Sequence, residues 1–158
     1  MGDKIKTYYF AYGSNMCAKR IKKRLARDGQ TYISRRPAVL KGKKLAFNKK
    51  SRKDPRIGYA SFVDDENFNL YGALYEVNMN AIYSLDSYEM YPHYYRRLMM
   101  EVETEDLGTV EAWVYMANPA KTKEGLAPTK KYVEYMLMAK DVLPDHYVEF
   151  IRSIKTVD

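Results

Sequence analysis

The sequence is short of the residues that staple secreted proteins or hold structural metals. It has a single cysteine, Cys17, so no internal disulfide forms, and its two histidines, His93 and His146, are too few for a zinc cage. No uninterrupted apolar run is long enough to span a bilayer. The stretch from Met1 to Lys6 lacks the apolar segment of a secretion signal, and Lys6 stands where N-myristoylation after Gly2 needs Ser or Thr. These absences predict a cytoplasmic chain without membrane contact or a structural metal. Tryptophan is nearly missing as well, with one Trp and five Phe against 16 Tyr.

What is present fits one domain over residues 1–158. Hydrophobic residues make up 46% and charged residues 30% of the 158, which excludes a disordered chain and a coiled coil. The net charge of +7 is unevenly spread: Cys17 to Arg56 holds 16 Lys and Arg against Asp28 and Asp54, while the remainder carries 11 basic and 18 acidic groups. A positive band on an acidic body steers anionic partners. Lys41-Gly42-Lys43-Lys44, followed by Lys49-Lys50-Ser51-Arg52-Lys53-Asp54-Pro55-Arg56, reads as a strand ending in an exposed loop. That 41–56 loop either aids solubility alone or meets an acidic partner. Tyrosines beside basic residues suit stacking on single-stranded nucleic acid. Here they follow strand and helix periods instead, and no RNP-like strand, KH loop or zinc finger accompanies them, so nucleic acid is not the expected partner.

Ile5 to Tyr12 is β-branched and aromatic and stops at Gly13-Ser14-Asn15, which predicts a buried strand entering a tight turn. Asn15 is placed to cap a helix carrying Met16, Ile21 and Leu25. Residues 32–40, 43–48, 58–63 and 70–77 read as strands, with Pro37 marking an edge or bulge and Gly72 a close backbone approach. Asn78 caps a short helix with Met79, Ile82 and Leu85 inward. Residues 94–103 and 109–116 alternate around a turn at Gly108 and predict a hairpin. A helix follows Thr129 through Val133, Met136, Leu137 and Lys140, and Pro144 opens a last helix with Tyr147, Phe150, Ile151 and Ile154 on one stripe. About seven strands, mostly in hairpins and without a crossover helix between each pair, predict an α+β domain with a curved or closed sheet.

Two constellations carry chemistry. The turn Tyr12-Gly13-Ser14-Asn15-Met16 joins a strand to a helix start, where backbone N–H groups and the helix dipole hold a carboxylate or an oxyanion. Its bland counterpart is a plain strand-turn-helix. The second is Leu85-Asp86-Ser87-Tyr88-Glu89-Met90-Tyr91-Pro92 with Tyr94 and Tyr95. Glu89 falls where a helix gives way to a loop; burial among those rings raises its pKa and suits it to proton exchange. Otherwise it is an exposed helical Glu, with Asp86 on another face. Cys17 with His93 or His146 is a rival nucleophile, disfavoured because a small thiol one turn into an apolar helix face is usually inert and no third orienting residue is evident.

Together these segments resemble the gamma-glutamylcyclotransferase family. Tyr9-Phe10-Ala11-Tyr12-Gly13-Ser14-Asn15 is similar to its Tyr-Gly-Ser-Asn signature, and Leu85-Asp86-Ser87-Tyr88-Glu89 to its Leu-Asp-x-x-Glu segment. Gly58-Tyr59-Ala60-Ser61-Phe62 and Tyr71-Gly72-Ala73-Leu74-Tyr75-Glu76-Val77 resemble its central strands. Pro128-Thr129-Lys130-Lys131-Tyr132 resembles its Pro-x-x-x-Tyr segment. The likeness runs from about Tyr8 to Phe150.

The resemblance implies a small mixed, mostly antiparallel β-barrel with flanking helices. It also implies a cofactor-free enzyme that cyclises a γ-glutamyl amide or peptide to 5-oxoproline and releases the amine. It assigns Glu89 as the catalytic acid/base. Tyr9, Phe10, Ala11, Tyr12, Gly13 and Ser14 match the glutamyl-binding loop, and Tyr95 and Tyr132 match substrate-contacting tyrosines. Met90 departs from the family, in which many members have Gly after the Glu, and a side chain there is expected to narrow or reshape the pocket. Ser14-Asn15 separates the chain from relatives with Gly-Thr-Leu that act on lysine side chains. The expected partners are a small γ-glutamyl substrate, an acidic carrier protein at the basic loop, and a second copy in a homodimer. One alternative is removal of a γ-glutamyl protecting group from a biosynthetic intermediate or a carrier-bound product. Another is a non-catalytic module that binds anions or nucleic acid through residues 41–56.

Overall fold

The computed structural model describes residues 5–158. Residues 1–4, which include the Gly2 weighed for lipidation, lie outside them.

Among the described residues, five strands close into a barrel. β1 (Lys6–Ala11) is followed by a single 3-10 turn (Ser14–Met16), α1 (Ala18–Ala26), β2 (Tyr32–Lys50), β3 (Gly58–Asn78) and α2 (Met79–Glu89). Then come β4 (Tyr95–Thr104), β5 (Gly108–Ala117), α3 (Lys130–Leu137) and α4 (Asp145–Arg152). The order around the barrel is β1-β3-β2-β4-β5. Every pairing is antiparallel except β1 with β5, which run parallel and meet at Tyr9↔Trp113. The chain therefore forms the mixed, mostly antiparallel barrel that its hairpins and its family resemblance imply.

Two pairs of predicted strands are fused. The segments read as 32–40 and 43–48 form one strand, β2, and those read as 58–63 and 70–77 form β3. Gly42, at φ +73°, lets β2 bend without ending, and residues 65–68 of β3 pass opposite it between the pairs Lys41↔Asn69 and Lys43↔Asp64. A bulge of this kind tightens strand curvature and helps a short sheet to close. Pro37 sits at no bulge: it stays in register with Ala73. Beside it, β2 meets β4 only at Val39↔Glu103, a thin seam where a residue lacking an N–H is tolerated.

Both faces of β1 are covered, so Tyr9, Phe10 and Ala11 are buried in succession and the strand lacks polar alternation. Phe10, Leu70, Leu74, Tyr75, Val77 and Val114 are buried on the two faces of the strands, and Ile21, Leu25, Ile82, Leu85, Met136 and Ile151 on the helices pack with them in one core. Thr129 caps α3 by accepting a hydrogen bond from the Tyr132 N–H at 3.1 Å. Asn78 occupies the cap position of α2, but its side chain makes no capping bond. On α4, Tyr147, Val148 and Ile151 are buried, whereas Phe150 is turned outward.

Gly72 marks a close approach of β1 and β3. A Cβ there would lie 2.2 Å from the Ala11 carbonyl oxygen, which belongs to backbone and has no freedom to swing aside. Gly72→Ala is expected to lower stability by about 2–3 kcal/mol, as overpacking does. Urea denaturation checks this, and an unchanged midpoint would contradict the packing described.

Candidate active site

The chain leaves β1 at Ala11, crosses one end of the barrel through Tyr12 and Gly13, and makes the 3-10 turn before α1 begins. Tyrosine hydroxyls hold this crossing. Tyr75 donates to the carbonyls of Asn15 and Met16, at 2.8 and 3.1 Å, and Tyr12 donates to the Tyr115 carbonyl. Asn15 does not cap α1 as its position suggested; Cys17 takes the cap position, without a side-chain bond. The Asn15 side chain is committed elsewhere, donating to the Tyr9 hydroxyl and accepting from Arg24, each at 3.1 Å. The Gly13–Ser14 amides thus open the 3-10 turn rather than α1, so the longer helix's dipole does not act on them directly.

On the far side, the Tyr132 hydroxyl accepts long hydrogen bonds, 3.4 Å each, from the Ser14 and Ala60 N–H groups. Tyr95 donates to the Ala60 carbonyl at 2.8 Å. Gly13 is needed here for space, because a Cβ would stand 2.6 Å from the Tyr132 hydroxyl. Tyr9, Phe10, Ala11, Tyr12, Gly13, Ser14, Glu89, Tyr95 and Tyr132, all singled out in the sequence, line one pocket. Asn15, Ala60 and Tyr115 complete its wall and were not singled out for it.

Glu89 is the last residue of α2. Burial raises its carboxyl above the ordinary carboxylate range; Arg24, Lys49 and Arg20 oppose that rise, and Asp86 adds to it. No described residue gives it a salt bridge or a side-chain hydrogen bond, and it faces the pocket. Asp86, three residues earlier, is in the opposite situation. Arg97 grips it through two bonds of 2.8 and 3.0 Å, and the Tyr115 hydroxyl donates to it at 2.6 Å. Both side chains of that pair are largely buried, at 10% and 15% exposure. Burial, and next the Glu89 charge, raise the Tyr12 and Tyr132 hydroxyls; Tyr95 is raised by burial, then by Tyr132 and Glu89. All three stay neutral phenols that donate or accept without losing a proton.

Outside Glu89 the pocket opens into a vestibule of about 230 Å³, lined by Arg20, Arg24, Lys49, Tyr59, Tyr88, Met90 and Tyr94 among others. Lys49 corrects the reading of residues 41–56 as strand then exposed loop. β2 runs through Lys50, the loop is only residues 51–57, and Lys49 is 6% exposed. The loop is folded on itself, Ser51 and Asp54 accepting from the backbone of Lys53, Asp54 and Arg56. Met90 adopts the left-handed conformation, φ +52° and ψ +44°, that ends α2. Such a conformation favours Gly by roughly 1 kcal/mol. Its side chain lines the vestibule and not the inner pocket, with Sδ 3.6 Å from the Arg52 guanidinium. Cys17 is buried with its thiol 3.7 Å from Met138 Sδ, and His146 packs on Tyr71, so no Cys–His pair exists between them.

Residues 9–135 match the family model described as gamma-glutamyl cyclotransferase, AIG2-like, and the chain belongs to that family. Solved structures share the fold. A gamma-glutamyl cyclotransferase superposes with a TM-score of 0.83 at 23% identity, over 98% of this chain and 90% of its own. The human protein loc79017 gives 0.81 at 24% identity, over 97% and 90%. A yeast gamma-glutamyl cyclotransferase specific to glutathione gives 0.63 at 13% identity, over 92% and 93%. No curated protein sequence matches the chain. Among the described residues, no helix is long and apolar enough to cross a membrane.

The two carboxyls of α2 are expected to respond oppositely to neutralisation. Asp86→Asn strands the buried Arg97 charge and should cost about 3 kcal/mol, the range for a broken buried pair. Glu89→Gln removes a charge that burial disfavours and should leave the protein at least as stable at neutral pH. Thermal melts of the two variants decide between these outcomes.

Proposed function

We propose that the protein cyclises γ-glutamyl amides to 5-oxoproline and releases the free amine, with Glu89 as general acid and base. The observation that carries this reading is a partly buried carboxyl, unpaired among the described residues, in the same tyrosine-lined pocket as the Tyr12–Asn15 turn. Such a group is costly to a fold and useful to a proton-transfer reaction.

The substrate supplies both reacting centres. Its α-amine attacks its own γ-carbonyl carbon, a C–N bond forms, and the carbonyl oxygen becomes an oxyanion. Glu89 accepts the proton that the attacking nitrogen loses. The bond to the departing nitrogen then breaks, Glu89 returns the proton to it, and 5-oxoproline and a neutral amine leave. No water is consumed and no covalent enzyme intermediate is needed. The Ser14 and Ala60 N–H groups, held only loosely by Tyr132, are suited to the substrate carboxylate or the oxyanion. Tyr9, Phe10, Ala11, Tyr12 and Gly13 shape the inner wall against which the glutamyl chain folds toward a ring. This positioning removes much of the entropic cost of cyclisation. Tyr95 and Tyr132, as neutral phenols, orient the substrate without competing for its proton.

Glu89→Gln is expected to fold and to lose about 10²–10⁴-fold in kcat for 5-oxoproline release, the usual weight of a proton-transfer group. Retention of most activity would overturn the assignment. Burial lifts the folded-state pKa of Glu89, so the folded protein keeps a proton that the unfolded chain gives up. The Glu89 contribution to wild-type stability should therefore be fullest below the unfolded carboxyl's pKa and fall as pH rises through the Glu89 titration. In Glu89→Gln that fall should flatten. Arg24→Met removes the leading charge that holds Glu89 down, and should move the acid limb of kcat/KM to higher pH.

A further inference from the structure

The vestibule carries more positive charge than a γ-glutamyl head can use. Lys49 has neither an ion pair nor a hydrogen bond among the described residues, and its ammonium lies 4.8, 5.4 and 5.8 Å from the ring centres of Tyr94, Tyr59 and Tyr95. Arg52 and Lys121 approach the same Tyr94 ring, at 5.5 and 4.7 Å. Arg20 and Arg24 close the other side, bonded to the neutral groups Ser14 Oγ and Asn15 Oδ1. Among the described residues that line the vestibule, Glu89 is the only acid.

Elsewhere Arg35, Arg36, Lys41, Lys43, Arg56 and Arg97 each meet a carboxylate. Beyond Arg20 and Arg24 the same sign continues into a groove along α1 that Lys19 and Lys23 also line, again without an acidic residue in its wall. A cation kept 6% exposed, with no contact ion pair and only the nearby Glu89 charge and three ring faces to offset its burial, is better satisfied when a ligand anion also meets it. The glutamyl α-carboxylate belongs to the inner pocket, so the matching charge must sit on the amine half of the substrate. One carboxylate would answer only one of the five cations around the mouth.

Resting on the cyclotransferase reading above, we propose that the released amine carries at least two negative charges, as a phosphate or two carboxylates, and that Lys49 with Arg52 is its receptor. The tyrosine rings hold Lys49 apart from bulk water, where a paired anion is bound more tightly, and Arg52 reaches over the same Tyr94 ring from the exposed loop. A neutral amine leaves the receptor unused, and a cationic one is repelled.

The test is a series of γ-glutamyl amides of methylamine, glycine, aspartate, 2-aminoethyl phosphate and a diaminoalkane, assayed by 5-oxoproline release. With the wild-type protein, kcat/KM should rise about tenfold for each added negative charge and be lowest for the diamine amide. The aspartate and phosphate arms show which dianion is read. Raising salt from about 50 to about 300 mM should compress the series. The double variant Lys49→Met, Arg52→Gln should bring the dianionic amides within about threefold of the methylamide, and Lys49→Arg should keep most of the preference. Because ratios within one variant are compared, any change in Glu89 itself cancels. Methylamide or diamine amides turned over as well as the dianionic ones would overturn this inference and leave the cyclotransferase reading standing. So would a preference that survives in the double variant. No release from any amide would overturn both.

Discussion

Partial burial of Glu89 works against folding unless something replaces the water it loses, and the charged residues around the pocket supply part of that replacement. The carboxyl sits at the last turn of α2, where Arg24, Lys49 and Arg20 offer compensating charge without closing on it in a salt bridge. A direct bridge would lower its energy further but leave it a poor base. Charges held near but not in contact keep it ionisable and free to accept a proton. Asp86 shows the alternative on the same helix: clamped by Arg97 and Tyr115, it is fully satisfied and chemically idle. The two acids of one helix therefore differ by their partners and not by residue type: one is clamped, and the other is free for the proton exchange proposed for it.

The abundance of tyrosine follows from the same arrangement. The 3-10 turn after β1 presents the Asn15 and Met16 carbonyls and the Ser14 N–H, and the hydroxyls of Tyr75 and Tyr132 serve them. Phenylalanine would fill the space but leave those groups unsatisfied. Because burial keeps these hydroxyls neutral, they support the turn without adding charge beside Glu89. Barrel closure brings the parts together: β1 pairs with β3 and β5, so Tyr75 and Tyr115 come to the turn from two neighbouring strands.

Much of this was legible in advance, for identifiable reasons. Strand and helix positions followed hydrophobic period, and the pairing of the Tyr9–Ser14 segment with Glu89 came through a family resemblance that the motifs carry. The physics of either motif alone was too weak to select it. The errors share a cause. Gly42 and Asp64-Asp65-Glu66-Asn67 look like breaks, yet a bulged strand accommodates both, so four predicted strands became two. Asn15 looks like a cap, but Tyr9 and Arg24 compete for its side chain from outside the local segment. Lys49 looks like one more exposed lysine in a basic run until the length of β2 turns it inward.

What the linear chain settles by itself is short in range: the periods that make β1 and α2, the Thr129 cap, the glycine needed where β1 and β3 touch, and the order of the motifs. These depend on neighbours a few residues away, or on sterics intrinsic to a residue. The state of Glu89, the orientation of Lys49 and the charge of the vestibule depend on residues brought from β1, α1, β2, α2 and α3 into one small volume. Electrostatic energy in a poorly hydrated space is a sum over everything nearby, and only the closed barrel specifies what is near.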